Sequence, residues 1–226
     1  MTKETIIVSL GGSLVAPGEI DTAFLKTFKN TIKKFLHKNR FFIFVGGGKI
    51  CRSYQKALLE FKGDTTERDL IGIDVSRLNA RVVKQAFDEL AFSQVITNPT
   101  KKINTSKNVV VAAGWKPGWS TDYCAVTLAK NMGIKTIVNL SNIDYVYDKD
   151  PNTFKDAVKI ERTHWKYFCE HIVPKERHPG MNTPFDPMAS KLARKLGLKV
   201  FFVDGRNLKT LDAALSGKKF DGTIIE

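Results

Sequence analysis

An apolar run that ends at three consecutive glycines constrains the fold of this chain more than any other stretch. The run is Phe41 to Val45, and Gly46, Gly47 and Gly48 follow it directly. A stretch that is apolar at every position predicts a strand buried on both faces, as in a parallel sheet. Glycines let the backbone approach a ligand closely, and free N–H groups at a helix start favour an anion such as phosphate. Glycines after a strand also serve as plain turns, and that alternative stays open.

A second copy of this pattern lies near the start of the chain. The apolar residues Ile6 to Leu10 are followed by Gly11, Gly12 and Ser13. An amphipathic stretch over 20–37 connects the two copies, which predicts a strand–helix–strand unit with parallel pairing. Two strands that end in glycines place two phosphate-binding loops at one edge of the sheet, where open α/β folds bind ligands.

Strands and helices continue to alternate along the remaining sequence. Further strands are expected at 95–97, 109–112, 136–140, 200–203 and 223–225, and helices at 50–61, 68–90, 187–196, 208–215 and in a segment ending at Met132. The segment 155–183 has the weakest pattern and is expected to be helical only around 163–170. The alternation predicts one α/β domain over 1–226, with helices on both faces of a mainly parallel sheet.

Charge and cysteine content limit the classes of partner. The formal charge is +13, yet lysines such as Lys26, Lys29 and Lys33 form the polar side of the amphipathic stretch 20–37, so we expect no nucleic-acid partner. The three cysteines form no CxxC pair and leave one over, which argues against a zinc knuckle and a disulfide framework. We therefore expect a cytoplasmic protein. Without an apolar run of membrane-spanning length, we also expect no membrane association.

The residues around the glycines favour phosphoryl transfer, which depends on positioning and positive charge. Backbone groups and the Ser13 hydroxyl supply hydrogen-bond donors, and Lys49, Arg52 and Lys191 are candidates for the charge. The arrangements GxxxxGK[ST] and GxGxxG are both absent, which excludes an ordinary P-loop and a dinucleotide fingerprint. Lys191 lies one turn into its helix, and a contact with water alone is the other interpretation.

Other candidates lie in the loops that follow the later strands. Asp122 starts a helix after a glycine-containing loop, where it could orient lysines and a magnesium ion or only cap the helix. Trp115, Lys116 and Trp119 suit stacking on a base, and packing is the alternative.

Two polar residues farther along suit the remaining parts of a nucleotide. Tyr147 and Asp150 could hold a base and a ribose, although Asp150 before a proline also starts turns. The four histidines have no metal-ligand spacing, and we predict no metal site made by the protein alone.

Seven groups of residues, in order along the chain, resemble the amino acid kinase superfamily and, within it, the archaeal-type UMP kinases. They are Leu10 to Ser13; Val45 to Lys49 with Arg52; Asp69 to Ile73 with Arg77 to Ala80; Pro117, Gly118 and Ser120 to Asp122; Asn142 to Asp144 with Val146, Tyr147, Asp150 and Pro151; Asp186, Pro187, Ala189 and Lys191; and Gly222 to Ile224.

This resemblance implies ATP- and magnesium-dependent phosphorylation of UMP to UDP on a three-layer α/β/α sandwich that assembles as a homo-oligomer, a hexamer or dimer. It implies ATP contacts for Gly12, Ser13, Gly48, Arg52, Ser141, Asn142, Tyr147 and Asp150. It implies UMP contacts for Gly47, Asp69, Trp115, Lys116, Pro117, Gly118, Trp119, Ser120 and Thr121. Asp122 would organise the site and Lys191 would stabilise the transferring phosphoryl group. Many relatives carry a lysine at the position of Ser9, and here Lys49 is expected to supply that charge. The acceptor is already an anionic oxygen, so no general base is expected.

The chain departs from the family pattern where the acceptor should bind. Trp115 and Trp119 replace smaller polar residues, and Tyr145 stands where the family usually has glycine. Two alternatives therefore stay open: a superfamily kinase for another phosphorylated or carboxylated acceptor, and a nucleotide-binding regulatory protein without turnover. Asp122 and Lys191 count against the second.

Overall fold

The computed structural model describes residues 3–181 and 183–226, and its centre is a seven-stranded sheet in the order β3-β2-β1-β4-β8-β9-β7. The strands are β1 (Glu4–Leu10), β2 (Asn39–Val45), β3 (Val109–Ala112), β4 (Thr136–Ser141), β7 (Arg162–Thr163), β8 (Lys199–Asp204) and β9 (Gly222–Ile225). The β1, β2, β3, β4 and β8 strands are parallel neighbours. The last strand, β9, runs antiparallel to β8, and the short strands β5 (Val146–Tyr147) and β6 (Lys159–Ile160) form a separate antiparallel pair.

The helices begin and end at the residue types that the sequence favours for those positions. They are α1 (Gly12–Val15), α2 (Thr22–Phe35), α3 (Gly48–Glu60), α4 (Thr65–Phe87), α5 (Thr121–Met132), α6 (Trp165–Tyr167), α7 (Pro187–Leu196) and α8 (Leu208–Leu215). The Asp186 side chain caps α7 by accepting from the Ala189 N–H at 2.8 Å. Gly133 and Gly197 close α5 and α7 with left-handed backbone, at φ 68° and 57°. No helix in the described part of the chain is long and apolar enough to cross a bilayer.

The sheet is covered by helices on both faces, as the alternation of β2 side chains shows. Phe41 and Ile43 lie in one buried cluster with side chains of α2, α4 and α8. Phe42 and Phe44 lie in a second cluster, with side chains of α5 and α7 on the opposite face. The predicted α/β/α sandwich with a mainly parallel sheet is therefore confirmed.

Two local predictions were wrong in detail. Residues 95–97 form no strand, because this segment pairs with β3 only through an isolated bridge between Ile96 and Ala112 before the Asn98 turn begins. Residues 163–170 are not one helix. The His164 side chain accepts from the Tyr167 N–H, so α6 starts at Trp165, and it continues as a wider π-turn over Phe168–Ile172.

Candidate active site

A cavity of about 290 Å³ opens at the carboxyl ends of the parallel strands. It has two halves. We name these halves after the phosphoryl donor and acceptor that the resemblance implies: the donor half is lined by the residues after β1, β2 and β4, and the acceptor half by α4, the loop after β3 and the segment before α7. The predicted site residues that line the cavity are Gly12, Ser13, Gly47, Gly48, Arg52, Asp69, Trp119, Ser120, Thr121, Asp122, Ser141 and Asn142.

The two glycine loops of the donor half pack against each other through their backbones. A Cβ on Gly12 would lie 2.3 Å from the Gly46 carbonyl oxygen, and a Cβ on Gly48 would lie 2.3 Å from the Gly12 carbonyl carbon. Gly48 also has a φ of +71°, which an L side chain rarely adopts. These glycines therefore bring the two loops together, and the same lack of side chains leaves the backbone open to the cavity.

Two buried polar residues of α4 fix the position of these loops. The Ser76 hydroxyl donates to the Val45 carbonyl at 2.7 Å and accepts from the Gly114 N–H at 2.9 Å. The Asn79 side chain donates to the carbonyls of Gly46 at 2.9 Å and Gly47 at 3.2 Å. Neither residue has a role predicted from the sequence. The pattern that could have indicated one is the presence of polar side chains on the inner side of an amphipathic helix, because buried polar groups need hydrogen-bond partners.

Arg52 supplies a positive charge at the donor half. Its Nη2 donates to the Ser13 hydroxyl at 3.2 Å, and both residues line the cavity. The buried Ser141 hydroxyl has no hydrogen-bond partner among residues 3–181 and 183–226. A buried hydroxyl without a partner is costly, so this atom is available for a ligand. Lys49 lies outside the cavity and lines a neighbouring depression together with Arg52 and Arg206.

Tyr147 and Asp150 also lie outside the cavity. The Tyr147 hydroxyl donates to the Asp144 carboxylate at 3.2 Å. Asp150 accepts from the Asn152 N–H at 2.9 Å, which is the turn that its position before Pro151 suggested. Neither side chain contacts the glycine loops.

The Asp122 carboxylate faces the cavity between its two halves. It accepts a hydrogen bond from the Ser9 hydroxyl at 2.8 Å and one from the Asp186 N–H at 3.3 Å. Burial raises the pKa of Asp122 from 3.8 to about 7, and the nearby Asp186 charge adds to the effect while the Ser9 hydrogen bond opposes it. Helix capping is done by Ser120, which accepts from the Tyr123 N–H, so the capping alternative for Asp122 is wrong.

The acceptor half is built around Asp69, whose side chain is 6% exposed. Its carboxylate accepts the Gly118 N–H at 2.6 Å and two N–H groups of Arg177 at 2.7 and 3.1 Å. Nε of Arg177 lies 3.5 Å from the Asp186 carboxylate. Arg177 is not among the predicted site residues, because it lies in the segment with the weakest pattern and 108 residues from Asp69.

The residues 115–121 form a loop that we call the tryptophan loop, and only its end reaches the cavity. Trp119, Ser120 and Thr121 line it, whereas Trp115, Lys116, Pro117 and Gly118 do not. The Trp119 ring packs edge-on against Trp115 at 4.7 Å and against Tyr123 at 4.5 Å between centroids. The Lys116 ammonium lies over the Trp115 ring at 4.5 Å. The packing interpretation therefore describes Trp115, while Trp119 both packs and faces the cavity.

Lys191 lies on the outer side of α7, away from the cavity. Its Nζ is exposed and lies 3.5 Å from the Lys175 carbonyl oxygen. Among the described residues that line the cavity, the arginine and lysine charges are Arg52 and Arg177 alone.

The carboxylate oxygens that line the cavity suit a magnesium ion that arrives with phosphates. In the described ranges, no three side chains of the His, Cys, Asp or Glu types are grouped as metal ligands. Carboxylate oxygens are nevertheless hard ligands of the kind that Mg²⁺ accepts alongside phosphate and water.

Comparisons with known proteins identify the family and the fold. The sequence model of the "Amino acid kinase family" matches residues 4–204. The uridylate kinases of Methanospirillum hungatei and Pyrococcus abyssi are 31% and 29% identical to this chain; each alignment covers 98% of it, and 94% and 99% of the respective relatives. The crystal structure of uridylate kinase from Archaeoglobus fulgidus superposes with a TM-score of 0.83 at 30% identity, covering 98% of this chain and 99% of that one.

Proposed function

The chain belongs to the amino acid kinase family, and from that premise we propose that it transfers the γ-phosphoryl group of ATP to UMP, forming UDP. The observation that carries the proposal is that two interlocked glycine loops line the same cavity as Asp69 and Trp119. This layout suits a nucleoside triphosphate at one half and a nucleoside monophosphate at the other. The similarity to uridylate kinases over 98% of the chain supports UMP as the acceptor.

The donor half binds ATP in this proposal. Gly12, Ser13 and Gly48 present backbone N–H groups to the phosphates, and Arg52 adds a full charge. Ser141 and Asn142 line the same side and contact the nucleotide. Lys49, Tyr147 and Asp150 lie outside the cavity, so their proposed contacts are with parts of ATP that extend beyond it.

The acceptor half binds UMP. Gly47 offers backbone to the acceptor at the meeting point of the halves, and the Asp69 carboxylate accepts from ribose hydroxyls. The Trp119 ring offers a face or edge to the base, and Ser120 and Thr121 supply hydroxyls beside it. Trp115, Lys116, Pro117 and Gly118 act through this loop: the first two pack on Trp119, and the Gly118 N–H holds Asp69.

Transfer proceeds by in-line attack of a UMP phosphate oxygen on the γ-phosphorus of ATP, with ADP leaving. The attacking oxygen carries no proton at neutral pH, so no base is needed. Catalysis consists of alignment and of stabilising the charge on the equatorial oxygens. Magnesium entering with ATP would supply further charge neutralisation, and the Asp122 carboxylate would hold it. The resemblance gives Lys191 a part in stabilising this charge. Because Lys191 is exposed, we instead assign the stabilisation to the arginines and backbone N–H groups that line the cavity.

We further propose that the whole chain acts as one domain and that it forms homo-oligomers. Strands from both ends of the chain share one sheet. The surface of α3 and α4 exposes large apolar side chains, among them Leu59 at 52% and Leu78 at 64%, as expected of a face that packs against another subunit. The free thiols of the three cysteines support the cytoplasm as the place of action.

The proposal is tested by measuring magnesium-dependent ADP formation with UMP, CMP, AMP, GMP and N-acetylglutamate as separate acceptors. Turnover strongly favouring UMP is the expected result. Turnover with a different acceptor would keep the kinase and replace the substrate. ATP binding without transfer to any of the five would favour the regulatory alternative.

A further inference from the structure

We propose that Arg177 binds the phosphate of the acceptor nucleotide, and that Asp69 and Asp186 hold its guanidinium in position before the substrate arrives. This inference rests on the proposed function, because it concerns the same cavity and takes a nucleoside monophosphate as the acceptor. It adds a substrate-binding residue that the family motifs in this sequence do not include.

Arg177 is held on the cavity wall from two directions. Its two terminal nitrogens donate to the two oxygens of Asp69 at 2.7 and 3.1 Å, and its Nε faces Asp186 at 3.5 Å. The side chain is 15% exposed, and that exposure opens into the cavity. The surrounding segment is also attached to α4, since Arg68 Nη2 donates to the Pro179 carbonyl at 2.9 Å. The guanidinium is therefore fixed in place, with little conformational freedom left to lose on binding.

The guanidinium keeps donors free for a phosphate. Arginine has five N–H groups in one plane. Asp69 accepts from one N–H of each terminal nitrogen, and Nε lies 3.5 Å from the Asp186 carboxylate. Each terminal nitrogen keeps a second N–H on the outer side of the guanidinium, and each of these can donate to a phosphate oxygen.

The charge balance of the cavity also requires a cation at this end. Three carboxylates, those of Asp69, Asp122 and Asp186, line it in the part of the chain that the structure describes. Arg52 lies at the donor half, where it contacts Ser13. Arg177 is the cation that contacts Asp69 and Asp186, so it offsets the repulsion between these carboxylates and an acceptor phosphate.

The test compares the affinities of UMP and uridine by calorimetry, because the ratio of the two isolates the contribution of the phosphate. Arg177→Gln should weaken UMP binding roughly 30-fold, the range expected for hydrogen bonds to a charged group. Uridine and ATP affinities should change less than about threefold, since neither contacts Arg177 in the proposal. Arg177→Lys, which keeps the charge and loses the fork, should fall between the two proteins.

Two further variants separate phosphate binding from a structural role. Arg68→Gln releases the same segment from α4 while keeping the cavity charge, so its ratio of UMP to uridine affinity should match that of the wild type. Asp69→Asn combined with Arg177→Gln removes both ends of the buried pair and should still show the lost preference for UMP. This double variant keeps the test valid if Arg177→Gln alone does not fold.

An unchanged ratio of UMP to uridine affinity in both Arg177→Gln and the double variant would overturn the inference. Weakened ATP binding with intact UMP binding would overturn it as well. A wild-type protein that neither binds nor phosphorylates UMP would instead refute the proposed function, and the two failures are thereby distinguished.

Discussion

The donor half of the cavity is formed mainly by backbone, and the acceptor half mainly by side chains. The donor half consists mainly of backbone, with two glycine loops that pack against each other directly after β1 and β2. The acceptor half consists mainly of side chains that come from α4, from the loop after β3 and from the segment before α7. A backbone site depends on a few local residues, whereas a side-chain site depends on contacts between distant ones. The halves should therefore respond differently to substitution.

Two departures from the family pattern, Trp115 and Trp119, lie in the loop of the acceptor half, whereas Ser9 lies on β1 and Tyr145 follows β4. Asp69 of the acceptor half forms an ion pair with Arg177. The donor half keeps its glycines. Such a division lets the acceptor half change its contacts while ATP binding is retained.

The largest effect is expected from Gly12→Ala in the donor half. Its Cβ would lie 2.3 Å from the Gly46 oxygen, so the two loops would have to separate. We expect a loss of at least about 2 kcal/mol in the free energy of unfolding, as for overpacked sites, together with loss of ATP binding. Gly18→Ala is the matched control, since nothing lies within 4 Å of a Cβ at Gly18. Chemical denaturation and ATP titration measure both, and equal behaviour of the two variants would contradict the interlocking of the loops.

A smaller effect is expected from Trp119→Ala in the acceptor half. The ring lines the cavity, so its removal should raise the KM for UMP about tenfold, as is typical for loss of base stacking. The KM for ATP should stay the same. Tyr167→Ala removes an exposed aromatic ring outside the cavity and serves as the control in steady-state kinetics. A change in the KM for ATP as large as that for UMP would show that the halves are not separate.

Asp122, between the halves, should make stability depend on pH. Its folded pKa of about 7 exceeds its ordinary value of 3.8, so the folded protein favours the protonated carboxyl. Its contribution to stability is full below pH 4 and is lost as pH rises to about 7. Asp122→Asn stays neutral, so its free energy of unfolding relative to that of the wild type should rise by about 1–2 kcal/mol between pH 5 and pH 8. This value allows for water in the open cavity.

The measurement is urea unfolding without nucleotide and with a chelator of divalent ions. Asp74→Asn, at an exposed position of α4, controls for the loss of a charge and should show no such gain. A constant difference between wild type and Asp122→Asn across this pH range would contradict the burial of the charge.

The smallest effect is expected from Lys191→Ala. The resemblance implies a loss of turnover by orders of magnitude. Within the described ranges, however, the exposed Nζ has the Lys175 carbonyl as its one hydrogen-bond partner. On that geometry, kcat should fall less than about threefold, the scale of a surface charge change. Turnover measured at saturating ATP and UMP decides. A large fall in kcat would mean that α7 or its lysine moves into the cavity when substrates bind.

The same difference between backbone and side chains explains what could be predicted from the sequence. Buried strands, glycine loops and the caps of α7 depend on neighbouring residues, and these predictions are confirmed. The antiparallel direction of β9 and the contact of Arg177 with Asp69 depend on residues far apart in the chain. Ser76 and Asn79 read as interruptions of an apolar helix side until the loops that they hold are placed next to them.

The most direct test of the account follows the transferred group itself. ATP labelled in its γ-phosphate is mixed with UMP, magnesium and the wild-type protein, and the products are separated. The label is expected to appear in UDP, in step with ADP formation. Label found only in inorganic phosphate or retained in ATP, while ATP still binds, would contradict phosphoryl transfer to UMP.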